Sequence, residues 1–148
     1  MPFMHYPVLV TLHLFAAFVF VGTVFFEVLV LEGARKHVSR DAMRETERAI
    51  GVRARKLMPW VILVLYGAGA GLAWHYRGVL LHPFQSGLGA LLTLKIVLAL
   101  SVLVHFVRAI TWVAGGNMTL RRSRFIHLSV FFHMVGIVLL AKMMFYVG

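Results

Sequence analysis

Two stretches of this chain carry the same small pattern: Ser101-Val-Leu-Val-His105-Phe-Val and Ser129-Val-Phe-Phe-His133-Met-Val, both S-V-x-x-H-x-V. Each sets a hydroxyl and an imidazole four residues apart, about one helical turn, on a single face. A neutral imidazole offers one nitrogen lone pair to a metal or a proton, and its other nitrogen needs a hydrogen-bond partner that fixes the tautomer. Both histidines stand inside long apolar runs, as does His13 in Val10-Thr-Leu-His13-Leu-Phe-Ala-Ala. Ionisable side chains within a membrane span are costly, so their presence marks functional positions. His105, His133 and His13 are therefore the candidate metal ligands, with Ser101 and Ser129 as the candidate partners of the first two.

The elements that must position these residues are membrane spans. Of the 148 residues 61% are hydrophobic and only 14% charged, with a mean hydropathy of +0.88. Few soluble domains are that apolar, and apolar runs of about 20 residues are the signal of a span. The net charge of +10 sits mainly in loops between the runs, where topology explains it, so no nucleic-acid partner is expected. No cysteine is present, which excludes disulfides, thiolate metal sites, iron–sulfur clusters and covalent c-type haem attachment.

Four spans are expected, at about 6–31, 57–74, 90–113 and 125–146, in one domain over 1–148. The opening Met1–Pro7 lacks the basic segment of a signal peptide, so the first span reads as retained. Residues 33–56 form a basic connector with eight of the fifteen Lys/Arg, in which Asp41 can cap a short helix. Pro59 is expected in the first turn of the second span, where a missing N–H is harmless. Gly67-Ala-Gly-Ala-Gly71 contains a GxxxG, which suits close helix packing, dimerisation or a flat ligand. The loops 33–56 and 115–124 hold eight and three Lys/Arg, against Arg77 alone in the loop between the second and third spans. The positive-inside bias then makes both basic loops cytoplasmic. The fold expected is an all-α integral membrane four-helix bundle, N-out and C-out, in a bacterial-type inner membrane.

Depth selects among the polar residues. On these spans His105 and His133 each lie ~12 Å from the cytoplasmic face, on consecutive antiparallel helices. Two imidazoles at one level can bind one iron, and Ala109 and Gly136 nearby are small enough to leave room for a macrocycle. A non-covalent haem b is the cofactor expected. Lys95 and Arg108 are candidate partners for its propionates, or reach the headgroups by snorkelling. Lys142 is nine residues from His133, about 180° of helix, and is expected to face lipid.

Leu12-His13-Leu-Phe-Ala-Ala-Phe-Val-Phe-Val-Gly22 resembles the first helix of the HemJ-type membrane protoporphyrinogen oxidases and the related CopD copper-resistance proteins. Lys95 followed ten residues on by His105 is similar to the Lys-then-His pattern of the HemJ third helix, and Arg124-Phe125 to the opening of its fourth. Ile126-His-Leu-Ser129 departs from the Asn-Glu-x-Pro that follows there, and the tryptophan usual between the first-helix His and Gly is absent. The resemblance implies a small helical membrane protein that binds haem b as a homodimer. Three functions stay open: a b-type cytochrome passing electrons between a quinone and a partner, a porphyrinogen oxidase, and a copper-handling protein using His13, His133, Met134, Met143 and Met144. A purely structural membrane subunit is the plain alternative.

Overall fold

The computed structural model describes residues 5–147, which are almost wholly helical, with no strand among the described residues. Helix α1 runs over His5–Ala34 and contains a π-helical turn at Phe26–Leu31. Helix α2 covers Arg40–His75, a short α3 Arg77–Leu80, α4 Gly87–Ala114 and α5 Leu120–Met143. The long four are each long and apolar enough to cross a membrane. In none of them is more than 22% of the most apolar window buried. Phe15, Phe18, Trp60, Leu63 and Phe132 all project outward. Apolar surface on that scale is expensive in water and natural in lipid, which suggests a multi-pass membrane protein. The reading of Met1–Met4 as part of a retained N-terminus lies outside the described residues.

The chain divides into two compact units, Met1–His75 and Tyr76–Gly148, each built on a helical hairpin. In the first, α1 packs along α2. Ala16, Phe20 and Val24, four residues apart, are buried on α1, as are Val61, Ile62 and Ala68 on α2. The small residues of α2 admit α1 closely. A Cβ at Gly71 would stand 2.9 Å from Leu9 Cδ1, and one at Gly69 3.2 Å from the His13 ring, whereas Gly67 faces open space. Gly71, one of the two glycines expected to serve a dimer seam, is thus already used within the chain.

In the second unit α4 packs along α5. Val102 is 0% exposed, and Leu92, Ile126, Val130 and Met134 are buried with it. Ser86 Oγ accepts the Gly89 N–H at 3.1 Å and so caps α4. Thr119 Oγ accepts the Arg122 N–H at 3.2 Å and caps α5. The turn between them passes through Gly116 at φ +67°, a left-handed conformation that costs glycine little.

Four expectations about elements change. Residues 33–56 are not a loop with a short helix: from Arg40 the chain is helical without interruption into the span. The cause is composition, since Ala, Arg, Glu, Met and Lys are all good helix formers, and no proline occurs between Arg40 and Pro59. The shift from charged to apolar marks where water ends, not where the helix does. Pro59 consequently lies deep inside α2, removing an interior helix hydrogen bond rather than a harmless first-turn donor. The cap is Ser39, whose Oγ accepts the Ala42 N–H at 3.2 Å, and Asp41 follows it in the first turn. Arg35, in the connection from α1, pairs with Glu32 at 3.1 Å and with Glu47 on α2. Partial desolvation works against its charge, but the two carboxylates outweigh that and hold the guanidinium above its ordinary pKa. Finally, α5 begins at Leu120, five residues before the expected boundary, because the Thr119 cap sits inside the basic segment.

Candidate functional site

The two repeated motifs meet. On α4 and α5 the ring centroids of His105 and His133 are 5.4 Å apart with planes inclined by 55°. His105 Nδ1 lies 2.7 Å from the Ser101 carbonyl, and His133 Nδ1 lies 2.7 Å from the Ser129 carbonyl. A carbonyl only accepts, so both Nδ1 atoms carry hydrogen and donate one turn back along their own helices. Each neutral ring is left with its lone pair on Nε2. The Ser129 hydroxyl stands 3.0 Å from His105 Nε2 and the Ser101 hydroxyl 3.0 Å from His133 Nε2, each positioned to donate. The four residues form a crossed, near-symmetric set in which each serine serves the other helix's histidine.

Local sequence explains half of this arrangement. The i−4 carbonyl is within reach of any helical histidine whose ring folds back over the preceding turn. Small serine at that position leaves space for the ring of the facing helix. Helix registry supplies the other half: antiparallel α4 and α5 are aligned so that residues 101 and 133, and 105 and 129, are opposite each other. The His105 ring also lies 6.4 Å from that of Phe125, and an open apolar groove of about 290 Å³ lined by Phe125, Leu128, Ser129, Phe132 and His133 runs alongside.

Other expected site residues are placed differently. His13 belongs to the first unit, half-buried on the α1 face against α2, where its Nδ1–H donates to the Leu65 carbonyl at 2.9 Å. Gly69 is what admits the ring there. Lys95 is half-buried on α4. Arg108 is exposed, with its guanidinium 5.1 Å from the centroid of the Trp112 ring. Lys142 is exposed too, 5.5 Å from the Tyr146 ring. The room for a macrocycle expected beside Gly136 is not open: Leu98 Cδ1 lies 3.3 Å from where a Cβ would be.

Three features escape sequence reasoning. The crossing of the serines depends on helix rotation and registry. The Leu65 carbonyl has no side-chain signature at all. Arg122 on α5 lies over Trp112 at 4.9 Å, so that ring is shared between two arginines from different helices, although a tryptophan four residues after an arginine could have suggested half of it. Thr93 Oγ1 is buried with no hydrogen-bond partner among the described residues, about 18 Å along α4 from His105 and so apart from the imidazole pair. Among the described residues no group of three or more His, Asp or Glu converges on one point. No protein-family model matches the sequence, no curated protein matches it, and no solved structure matches the chain.

Proposed function

We propose that the chain binds haem b at the His105–His133 centre and acts in membrane electron transfer. The observation that carries this reading is the fixed tautomer of both rings, each Nδ1–H held by a backbone carbonyl at 2.7 Å. That hydrogen bond is the one a metal-bound imidazole uses to orient itself and raise its basicity. Among the described residues the one claim on each Nε2 lone pair is a serine hydroxyl, which can turn to a carbonyl of its own helix when displaced. Donor number also favours haem over a bare ion. With no cluster of three His, Asp or Glu among the described residues, zinc held by such side chains alone would lack donors, whereas haem would bring most of its own.

The fit has a definite limit. Rings 5.4 Å apart and joined through crossed hydrogen bonds leave no space for a macrocycle between them. Ligation by both imidazoles requires α4 and α5 to part at this level, whereas His133 is already on the wall of the apolar groove. When bound, haem supplies one-electron redox chemistry. The residues orient the imidazoles, hold their tautomers, and exclude water by apolar packing around Val102 and Val130. His13, Lys95 and Arg108 enter the proposal as secondary candidates, His13 as a ligand and the two cations as partners of propionates.

The sidedness proposed is N-out and C-out, with Arg40–Lys56, the turn after Ala114 and the first residues of α5 in the cytoplasm. At ~1.5 Å per residue α2 exceeds a ~30 Å hydrocarbon core by nearly its own first half, which is the basic half.

A reduced-minus-oxidised spectrum with pyridine haemochrome quantification tests the cofactor directly. His105→Ala and His133→Ala are each expected to lose haem or turn it high-spin, and Ser101→Ala and Ser129→Ala to keep it with a small shift in potential. If ligation is by His133 alone, His105→Ala retains haem. Unchanged low-spin spectra in His13→Ala, His105→Ala and His133→Ala would rule the site out. The porphyrinogen-oxidase alternative is separated by assaying porphyrinogen oxidation on the same preparation.

A further inference from the structure

The second unit has no acidic side chain. All five Asp and Glu residues fall between Glu27 and Glu47, whereas residues 76–148 contain seven Lys/Arg: Arg77, Lys95, Arg108, Arg121, Arg122, Arg124 and Lys142. Four of the seven gather where α4 ends and α5 begins. No carboxylate from the same unit can neutralise them, and four cations crowded together repel one another.

At that end an open cavity of about 630 Å³ is lined by Gly116, Asn117, Thr119, Arg121, Arg122 and Phe125. Its guanidinium groups are partly ordered. Arg122 lies over the Trp112 ring at 4.9 Å and donates one N–H to the Asn117 carbonyl at 2.7 Å, and Arg108 lies over the same ring at 5.1 Å. A guanidinium has five N–H donors, so one held over a ring keeps donors for another partner, and its fork matches phosphate oxygens. The lining is both polar and apolar, with Phe125 beside the two arginines and Thr119. Tryptophan near the end of a span is typical of the aromatic belt at the headgroup level, and Trp112 is two residues from the end of α4.

We propose that this cavity binds the phosphate of an anionic phospholipid, with Arg121 and Arg122 taking the phosphate oxygens and Phe125 lying along the start of an acyl chain. The chemistry is that of basic pockets between transmembrane helices, which select anionic headgroups. A free phosphate offers the same oxygens without the chain, and the measurement separates the two.

Trp112 is the natural reporter. The full chain carrying Trp60→Phe and Trp74→Phe keeps it as the one tryptophan of three. Reconstituted into vesicles, it should be quenched more by brominated phosphatidylglycerol than by brominated phosphatidylcholine at equal mole fraction. That preference should fall roughly fivefold for each of Arg121→Gln and Arg122→Gln, the effect expected for one cation at a headgroup. Arg77→Gln and Lys142→Gln, with equal loss of charge at the other end of the hairpin, should keep it. Equal quenching by the two lipids would overturn the proposal, as would equal losses in all four variants. Loss of the preference in millimolar inorganic phosphate at constant ionic strength would reassign the cavity to a soluble anion. Arg121→Gln removes no contact to Trp112 or Asn117, so it reports on the lipid even if Arg122→Gln disturbs the turn.

Discussion

Ser101, His105, Ser129 and His133 form a set whose members depend on one another across two helices. Each hydroxyl is 3.0 Å from the imidazole of the opposite helix, so pairwise energies should follow the crossed pattern and not the sequence motif. Interhelical hydrogen bonds in membranes contribute modestly, about 0.6 kcal/mol on average and up to about 1.7. Double-mutant cycles on the unfolding of the haem-free protein should therefore couple Ser101 with His133, and Ser129 with His105, by roughly that amount. Ser101 with His105 should show little coupling, because their link is through the serine's backbone carbonyl, which Ser101→Ala retains. Coupling confined to residues of the same motif would mean that each serine serves its own histidine.

At the scale of elements, the glycines of α2 give a graded test of how α1 lies against it. Alanine is intrinsically favoured over glycine inside a helix by up to about 1 kcal/mol. Gly67 faces open space, so Gly67→Ala should gain that and raise the melting temperature slightly. Gly69→Ala gains the same propensity but brings a methyl group 3.2 Å from the His13 ring, itself tied to the Leu65 carbonyl. It should melt below Gly67→Ala, and Gly69→Leu well below the parent. Equal melting of the two alanine variants would mean that His13 does not lie over Gly69. The same helix shows how an element can exceed its apolar signature. Hydropathy changes abruptly near Leu57, yet backbone hydrogen bonding continues from Arg40, because Arg40–Lys56 is rich in Ala, Arg, Glu and Lys, has no proline, and its one glycine, Gly51, is not enough to break the helix.

For the molecule as a whole, orientation is the statement on which all depth arguments stand. A reporter fused after Arg48 should read cytoplasmic and one fused after Gly148 external, given eleven Lys/Arg in the two basic segments and Arg77 alone in the loop between α2 and α4. An external signal from Arg48 would invert the bilayer around both hairpins. Much of this level is legible without coordinates. Apolar runs long enough to cross a bilayer dictate helices, since lipid gives backbone N–H and C=O groups no other partner. The loss of every carboxylate after Glu47 is likewise a matter of composition alone. Counting from the expected span ends put His105 and His133 at one level, but α5 begins at Leu120, so 105 faces 129, 101 faces 133, and the two histidines stand one turn apart along the helices with their rings turned toward each other. Counting cannot give rotation about the helix axis. That decided whether Ser101 turned to its own histidine or to His133, and whether the space at Gly136 stayed open or took Leu98. It likewise set His13 against a backbone carbonyl of α2, which any residue at position 65 would supply. Local sequence carries period and length, whereas which atoms touch depends on how two helical surfaces interlock, and only the packed structure fixes that.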